Sequence, residues 1–118
     1  QSVGMIRVVR AFPVIPGQEA ALEAFLRAMK ERSGEVDDFF RRYGVTMESW
    51  HIQTSPEGVL VIVTSEARDD AAFAEHAASE HPFDRWFKDR VREISGIDLD
   101  ETPRGEPSRE AFCWREQG

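Results

Sequence analysis

Cysteine is almost absent from this 118-residue chain, in which Cys113 stands alone. One cysteine excludes an internal disulfide and a zinc site built from the cysteines of one chain, and it fits a reducing compartment. We therefore expect a cytoplasmic protein. No apolar run approaches the ~20 residues that cross a bilayer, and no basic segment followed by an apolar one marks a signal peptide. The sequence predicts neither membrane insertion nor secretion.

An excess of basic charge is also missing. The chain has 15 Lys and Arg against 22 Asp and Glu, a net charge of −7, and the two signs are interleaved. A protein that binds nucleic acid or an anionic membrane usually carries a basic stripe, so we predict neither partner. The signatures GxGxxG, GxxxxGK[ST], GxSxG and HExxH are absent as well, and no cofactor is expected.

What is present is a clear alternation of strand and helix patterns. The predicted strands cover residues 5–14, 45–54, 59–66 and 110–115. The predicted helices cover residues 18–32, 35–43, 69–78 and 82–94. This order predicts an α+β fold of the ferredoxin-like βαββαβ type, with helices on one face of a four-stranded antiparallel sheet. We expect one domain over residues 5–115, preceded by an expression-tag remnant at residues 1–4.

The strand at residues 59–63 is apolar on both faces, although helices cover only one face of such a sheet. An uncovered apolar face of roughly several hundred Å² is unusual on a monomer. We therefore predict a homodimer in which two sheets pack face to face, with ligand space between or beside them.

Two histidines lie in or beside the helix predicted at residues 69–78. His76 follows Phe73 by three positions and shares its apolar face. It is a candidate acid, base or hydrogen-bond donor in a cavity, since the ordinary pKa of histidine, about 6.5, suits proton transfer. The alternative is a core histidine bonded to a backbone carbonyl. His81 precedes Pro82, a position that favours a helix cap over catalysis.

The strand at residues 45–54 leaves its orientation open. Alternation puts Glu48 and Trp50 on one face, with Ser49 and His51 on the other. One face is expected to meet the helices and the other the cavity, and the pattern does not decide which. If Glu48 lies inward beside Trp50, partial burial raises its pKa and makes it a candidate base, with Trp50 as a substrate contact. The alternative is an exposed carboxylate and an indole packed on a helix.

Arginine and aromatic side chains supply the other candidate contacts. Arg7 and Arg10 lie on opposite faces of the first strand, so one of them points toward the open face. An inward Arg10 would stabilise an anionic substrate, whereas the alternative is an ion pair across the dimer interface. Phe83 and Trp86 are candidates for binding a small aromatic ligand, and core packing is the alternative.

The charged pairs Asp84/Lys88 and Arg85/Asp89 are spaced i, i+4 on the last helix, which predicts a solvated outer face. The three histidines and Glu48 match no metal-ligand spacing, so no metal site is predicted.

The residues around these histidines also suggest a family. The run E-x-x-D-x-x-x-F-x-x-H-x-x-S-x-H-x-F extends from Glu66 to Phe83 and follows an earlier PGQE at residues 16–19. Over most of residues 5–96 this pattern resembles the antibiotic biosynthesis monooxygenase group of dimeric α/β barrels. The resemblance implies a ferredoxin-like dimer, a cavity in each subunit with His76 in it, and in some members oxygenation of aromatic polyketides without metal or flavin.

The chain also departs from that group, because Ala67-Arg68 follow Glu66 where a tryptophan is often found, and residues 97–115 exceed the common length. We predict a cofactor-independent monooxygenase-like enzyme acting on a small aromatic or enolisable compound. In this hypothesis His76 or Glu48 removes a proton, and an arginine or the indole N–H of Trp50 stabilises the anion. The alternatives are a non-catalytic small-ligand-binding domain and a structural dimerisation module.

Overall fold

The computed structural model describes residues 5–69, 71–101 and 106–117, apart from the side chains of residues 72 and 73. The elements in chain order are β1 (Ile6–Pro13), α1 (Glu19–Glu31), α2 (Ser33–Arg42), β2 (Val45–Ser55), β3 (Gly58–Ala67), α3 (Ala71–Ala78) and α4 (Pro82–Ser95). The fold is α+β, as predicted, and each helix and each of the first three strands lies within a few residues of its predicted bounds.

The three strands form one antiparallel sheet in the order β1-β3-β2. β3 is the central strand and pairs with a strand on each side. Its apolar run is covered there, and Val61 within it has no exposed surface. β2 and β3 form the predicted hairpin, in which Ser55 lies opposite Gly58. Gly58 has φ 130°, a conformation that favours glycine and lets this tight turn close.

The predicted fourth strand at residues 110–115 does not form, because residues 106–117 carry no regular secondary structure. One backbone hydrogen bond, from Ser108 N to Val9 O at 2.7 Å, links this segment to β1. Phe112 and Trp114 are 85% and 73% exposed, so this segment buries little of its apolar surface against the rest of the domain. β1 is therefore an edge strand of the sheet that the described residues form.

Local capping explains where the helices begin and end. α4 ends at Gly96 (φ 79°), whose N–H donates to Arg92 O, as the glycine in the sequence predicts. The Asp69 carboxylate accepts a 2.9 Å hydrogen bond from Ala71 N at the start of α3.

The four helices lie on one face of the sheet, because each contributes to the core or to the cavity on that side. The buried core consists of Phe12, Val14, Leu22, Phe25, Phe39, Val61, Phe83, Phe87, Val91 and Ile94. The opposite face, which we call the outward face, carries side chains such as Arg7, Val9, Leu60 and Ile62. No helix in the described part of the chain covers it.

Candidate functional site

A cavity of about 450 Å³ lies between the sheet and the helices. Its sheet wall contains Val8, Arg10, Phe12, Glu48, Trp50, Val63 and Ser65. These residues share one face because the register places Val8 and Glu48 opposite Ser65, and Arg10 and Trp50 opposite Val63. The cavity therefore lies on the same side of the sheet as the helices, which corrects the prediction that the helices and the cavity occupy opposite faces.

This placement answers the two questions that alternation left open. Glu48 and Trp50 point toward the cavity. Arg10 also lines it, whereas Arg7 points outward and forms a 2.6 Å ion pair with Glu66. The sequence had given no means of choosing between these orientations, since both faces of β1 are largely apolar.

The helices supply the other wall of the cavity. Its members come from three helices and the segment that follows α4: Phe39, Phe40, Tyr43, His76, Phe87, Val91, Ile97 and Leu99. Ala11, Val45, Glu106, Pro107 and Ser108 complete the lining among the described residues. A mostly apolar pocket with several aromatic rings and a few polar groups is the usual character of a small-molecule site.

Glu48 is the acidic group in the sheet wall of this cavity. Its Oε2 accepts a 2.9 Å hydrogen bond from Trp50 Nε1, and its Oε1 accepts a 2.7 Å bond from Ser65 Oγ. Burial raises the pKa of the Glu48 carboxyl above its usual range, and the two donors offset only part of that rise. The carboxyl thus holds its proton closer to neutral pH than an exposed glutamate, as acid–base catalysis requires.

The indole of Trp50 is fixed by three aromatic neighbours. Its ring centroid lies 5.7 Å from that of Phe12, 5.5 Å from Phe25 and 6.2 Å from Phe87. Edge-on and tilted contacts at these distances are favourable, and they restrict rotation of the indole. The N–H is consequently held toward Glu48.

His76 is 8% exposed and belongs both to the core and to the cavity lining. Its ring lies 5.2 Å from Phe39, 5.3 Å from Tyr43 and 5.8 Å from Phe87, between centroids. The two interpretations of His76 are thus not exclusive, and its catalytic role stays a prediction. The side chain of Phe73, from which its face was argued, lies outside the described residues.

A buried acidic centre behind the cavity was missed in the sequence. Asp84 is 0% exposed and accepts hydrogen bonds from Arg42, Tyr43 and Ser79. Burial alone would raise the pKa of Asp84, but these donors outweigh it and hold that pKa well below its usual range. Because Tyr43 lines the cavity, the network fixes part of the cavity wall.

Lys88 is also buried, at 1% exposed. Its ammonium donates to the carbonyl oxygens of His76 at 2.9 Å, Ala77 at 3.2 Å and Ser79 at 2.8 Å, and it pairs with Asp100 at 2.7 Å. A cation at a helix C-terminus satisfies carbonyls that have no partner within the helix. Lys88 therefore anchors the end of α3, which carries His76.

Asp84 and Lys88 correct the predicted charged outer face of α4. Of the two i, i+4 pairs, only Arg85 and Asp89 meet at the surface, with a 3.2 Å ion pair. The sequence did contain a signal that these two charges are buried. Asp84 and Lys88 each follow an apolar residue of α4 by one position, Phe83 and Phe87, and so lie next to its apolar stripe.

Two predicted substrate contacts, Phe83 and Trp86, are not part of the cavity lining that the described residues form. Phe83 is 2% exposed and packs in the core, with its ring centroid 5.4 Å from that of Trp86. The Arg32 guanidinium lies 4.4 Å from the Trp86 ring centroid and 4.9 Å from that of Phe83. Both side chains are thus packed against helices, Trp86 on Phe25 of α1 and Phe83 on Phe39 of α2.

His81 caps α4, in agreement with the structural interpretation of its place before Pro82. Its Nδ1 accepts a 3.1 Å hydrogen bond from Phe83 N. The 3.8 Å approach of the same atom to Asp84 Oδ1 is not a charged pair in this arrangement, because an accepting Nδ1 carries no proton.

The described residues contain no cluster of three or more His, Cys, Asp or Glu side chains able to hold a metal ion. Within the same ranges, no helix is both long and apolar enough to span a membrane.

Comparison with solved structures shows what the fold resembles. The chain is similar to the crystal structure of an L-rhamnose mutarotase from Formosa agariphila, with a TM-score of 0.60 and 17% sequence identity over 93% of this chain and 99% of that one. At this identity the likeness shows the fold, which is ferredoxin-like, as the resemblance implied. No curated protein matches the chain.

This comparison contradicts the predicted monooxygenase-like function. The solved protein is named a mutarotase, which is an isomerase and not an oxygenase. It also fits poorly with a non-catalytic binding domain. The antibiotic biosynthesis monooxygenase resemblance therefore holds for the fold and no further. The chain instead belongs to a family of unknown function, DUF6176, which it matches over residues 5–105.

Proposed function

We propose that this protein is an isomerase that moves protons, without redox chemistry, on a small polyhydroxylated ring bound in the cavity. The observation that carries the proposal is Glu48, a carboxyl with a raised pKa that lines the cavity and is held there by Trp50 and Ser65. The likeness to a mutarotase supports a sugar ring as substrate.

The chemistry needs only an acid and a base. A base takes the proton of the anomeric hydroxyl, the bond from C1 to the ring oxygen breaks, and an acid protonates that oxygen to give the open-chain aldehyde. Rotation about C1–C2 and reversal of the two proton transfers close the ring as the other anomer. Atoms, electrons and protons balance, so no oxidant or reductant enters.

The cavity offers groups for both transfers. Glu48 on the sheet wall exchanges one proton, and His76 on the helix wall exchanges the other, since both side chains line the same space. Arg10 supplies a donor for ring or hydroxyl oxygens. A volume of about 450 Å³ falls within the range of about 300–1,000 Å³ typical of small-molecule sites.

The proposed enzyme works as a homodimer whose sheets pack face to face, as the sequence predicted. Support comes from the outward face, which carries Val9, Ile62 and Leu60, the last of them 38% exposed. Cys113 is free, which supports the predicted cytoplasmic location because a reducing compartment keeps thiols in that form.

The test is anomer exchange measured by two-dimensional proton exchange NMR on L-rhamnose, L-fucose, D-galactose and D-ribose. We expect exchange of at least one sugar at about tenfold or more above the buffer rate, and a loss of about 100-fold or more in Glu48→Gln. Glu23→Gln is the matched control, because Glu23 is exposed on α1, away from both the cavity and the proposed dimer interface. An unchanged rate in Glu48→Gln, or no acceleration with any of these sugars, would overturn the proposal.

A further inference from the structure

The segment after the cavity carries two large aromatic side chains that the body of the chain leaves uncovered. Phe112 is 85% exposed and Trp114 is 73% exposed. The segment starts against the edge of β1, where Ser108 N donates to Val9 O at 2.7 Å. The hydrogen bond of Glu66 is the main cause that raises the pKa of Arg7, and the nearby charges of Glu110 and Cys113 add to it. We call residues 109–117 the tail.

The tail begins beside β1 but packs neither of its two aromatic side chains on the domain. Phe112 and Trp114 are two positions apart, a spacing that places both side chains on one side wherever the backbone is extended. A single exposed aromatic residue is ordinary, but two so close together point to a surface that another molecule covers.

The outward face of the sheet is the complementary feature. It carries the apolar side chains of Val9, Leu60 and Ile62, with Leu60 38% exposed, and no described helix covers it. The ion pair of Arg7 and Glu66 adds one charge of each sign to the same face. The tail also carries both signs, in Glu110 and Arg115 for example.

We propose that the tail of each copy crosses to a second copy of this chain and packs Phe112 and Trp114 on the outward face of its sheet. The occupant is a second copy because one chain carries both the exposed aromatic face and the uncovered sheet, and a two-fold axis satisfies both halves at once.

Area supports this assignment. Each buried aromatic side chain removes about 150–250 Å² from water, so the four in two exchanged tails remove about 600–1,000 Å². Their sheet partners lose a comparable area, which brings the total into the range of about 1,200–2,000 Å² that stable interfaces bury.

The exchange also bears on the cavity. Glu106, Pro107 and Ser108 line it and lead directly into the tail. A tail held by the partner fixes this part of the wall, so each site is completed only in the dimer. The inference builds on the proposed homodimer, but sheets can associate without tails, and the experiments below separate the two.

The first experiment is sedimentation equilibrium on the full chain, with the double variant Phe112→Ser/Trp114→Ser and the control Ile52→Ser. Ile52 is 42% exposed and lies on the helix side of the sheet. The control substitution therefore removes exposed apolar surface that is away from the proposed interface. We expect a dimer whose dissociation constant rises at least 30-fold in the double variant and less than threefold in the control. Circular dichroism checks that all three are folded.

The second experiment detects the crossing itself. Two samples are mixed. One is protein without ¹⁵N that carries a nitroxide on Cys113, the one cysteine in the chain, and the other is ¹⁵N-labelled Cys113→Ala protein. Only contacts between copies then broaden the ¹⁵N signals. We expect broadening at Ile62 and Thr64 on the outward face and none at Asp89 on α4. A monomeric wild type, a dimer that the double variant does not weaken, or absence of broadening at the outward face would overturn the tail exchange. A dimer that survives without the tails would leave the proposed homodimer intact.

Discussion

Arg42 of α2 donates two hydrogen bonds to the buried carboxylate of Asp84 on α4, from Nη1 to Oδ2 at 3.0 Å and from Nη2 to Oδ1 at 2.7 Å. The same carboxylate accepts a hydrogen bond from the hydroxyl of Tyr43, whose side chain lines the cavity. A planar guanidinium paired in this way fixes both distance and orientation. The pair therefore joins two helices directly behind the helix wall of the proposed site.

Replacement of Asp84 by asparagine should be costly, because it leaves the partly buried Arg42 charge without its main partner. We expect the free energy of unfolding to fall by about 3–5 kcal/mol. Asp38→Asn is the control, since Asp38 pairs with the same guanidinium at 2.8 Å from an exposed position and should cost less than about 1 kcal/mol. Urea denaturation midpoints measure both, and equal losses would contradict this assignment.

The same carboxylate predicts a loss of stability in acid. The pKa of Asp84 is lower in the folded protein than in the unfolded chain, because the hydrogen bonds of Arg42, Tyr43 and Ser79 outweigh the effect of burial. The unfolded chain thus takes up the proton first, below about pH 4, and the stabilisation present above that pH is lost as the pH falls toward the folded pKa. Urea midpoints between pH 2 and 6 should show a steep decline that is shallower in Asp84→Asn. An identical slope in that variant would contradict the prediction.

The fold was largely readable because hydrophobic periodicity and turn residues act locally. Gly96 marks the end of α4, and the short turn before Gly58 marks the hairpin. The fourth strand was wrong because the pattern of residues 110–115 reports a preference for extended backbone, whereas pairing depends on what covers the side chains. A single chain gives Phe112 and Trp114 nothing to pack against.

The site was predicted only in part, for a similar reason. Alternation grouped Glu48 with Trp50, and this pair does line the cavity. Asp84 and Lys88 were placed in solvent because charge spacing along one helix carries no information about the helix packed beside it. The Asp84 partners Arg42 and Tyr43 are about 40 positions away in the chain, and such contacts are set by tertiary packing.

Glu48→Gln should stabilise the protein at neutral pH while removing the proposed activity. Burial raises the folded pKa of Glu48, so the unfolded chain loses its proton first, and stability declines as the pH rises from about 4.3 toward the folded pKa. Glutamine avoids this cost and still accepts from Trp50 or Ser65. Urea midpoints at pH 4 and pH 8 should differ less in the variant than in the wild type. A variant less stable than the wild type at pH 8 would show that the buried carboxylate of Glu48 does not destabilise the folded protein.

Lys88→Met should weaken the end of α3. The change removes the donor shared by the carbonyl oxygens of His76, Ala77 and Ser79. His76 O keeps a 3.1 Å hydrogen bond from Ser79 N, whereas each buried carbonyl left unsatisfied costs about 1–3 kcal/mol. We expect a total loss of about 2–4 kcal/mol after local relaxation, together with faster amide exchange in α3. Lys30→Met, at an exposed position in the last turn of α1, should change stability by less than about 0.5 kcal/mol. Hydrogen exchange that leaves α3 as protected as in the wild type would show that Lys88 does not anchor it.

Trp50→Phe should raise the pKa of Glu48 further, because the indole N–H is one of the two donors that favour its charged form. Phenylalanine keeps an aromatic ring against Phe12 but has no donor. Ser65→Ala removes the other donor and should shift the pKa in the same direction, whereas Phe12→Leu alters packing around the indole and leaves both hydrogen bonds in place. Carbon-13 NMR titration of labelled glutamate carboxyls follows each change directly. A pKa that stays constant in Trp50→Phe, or moves as much in Phe12→Leu, would mean that packing and not the N–H sets the protonation of Glu48.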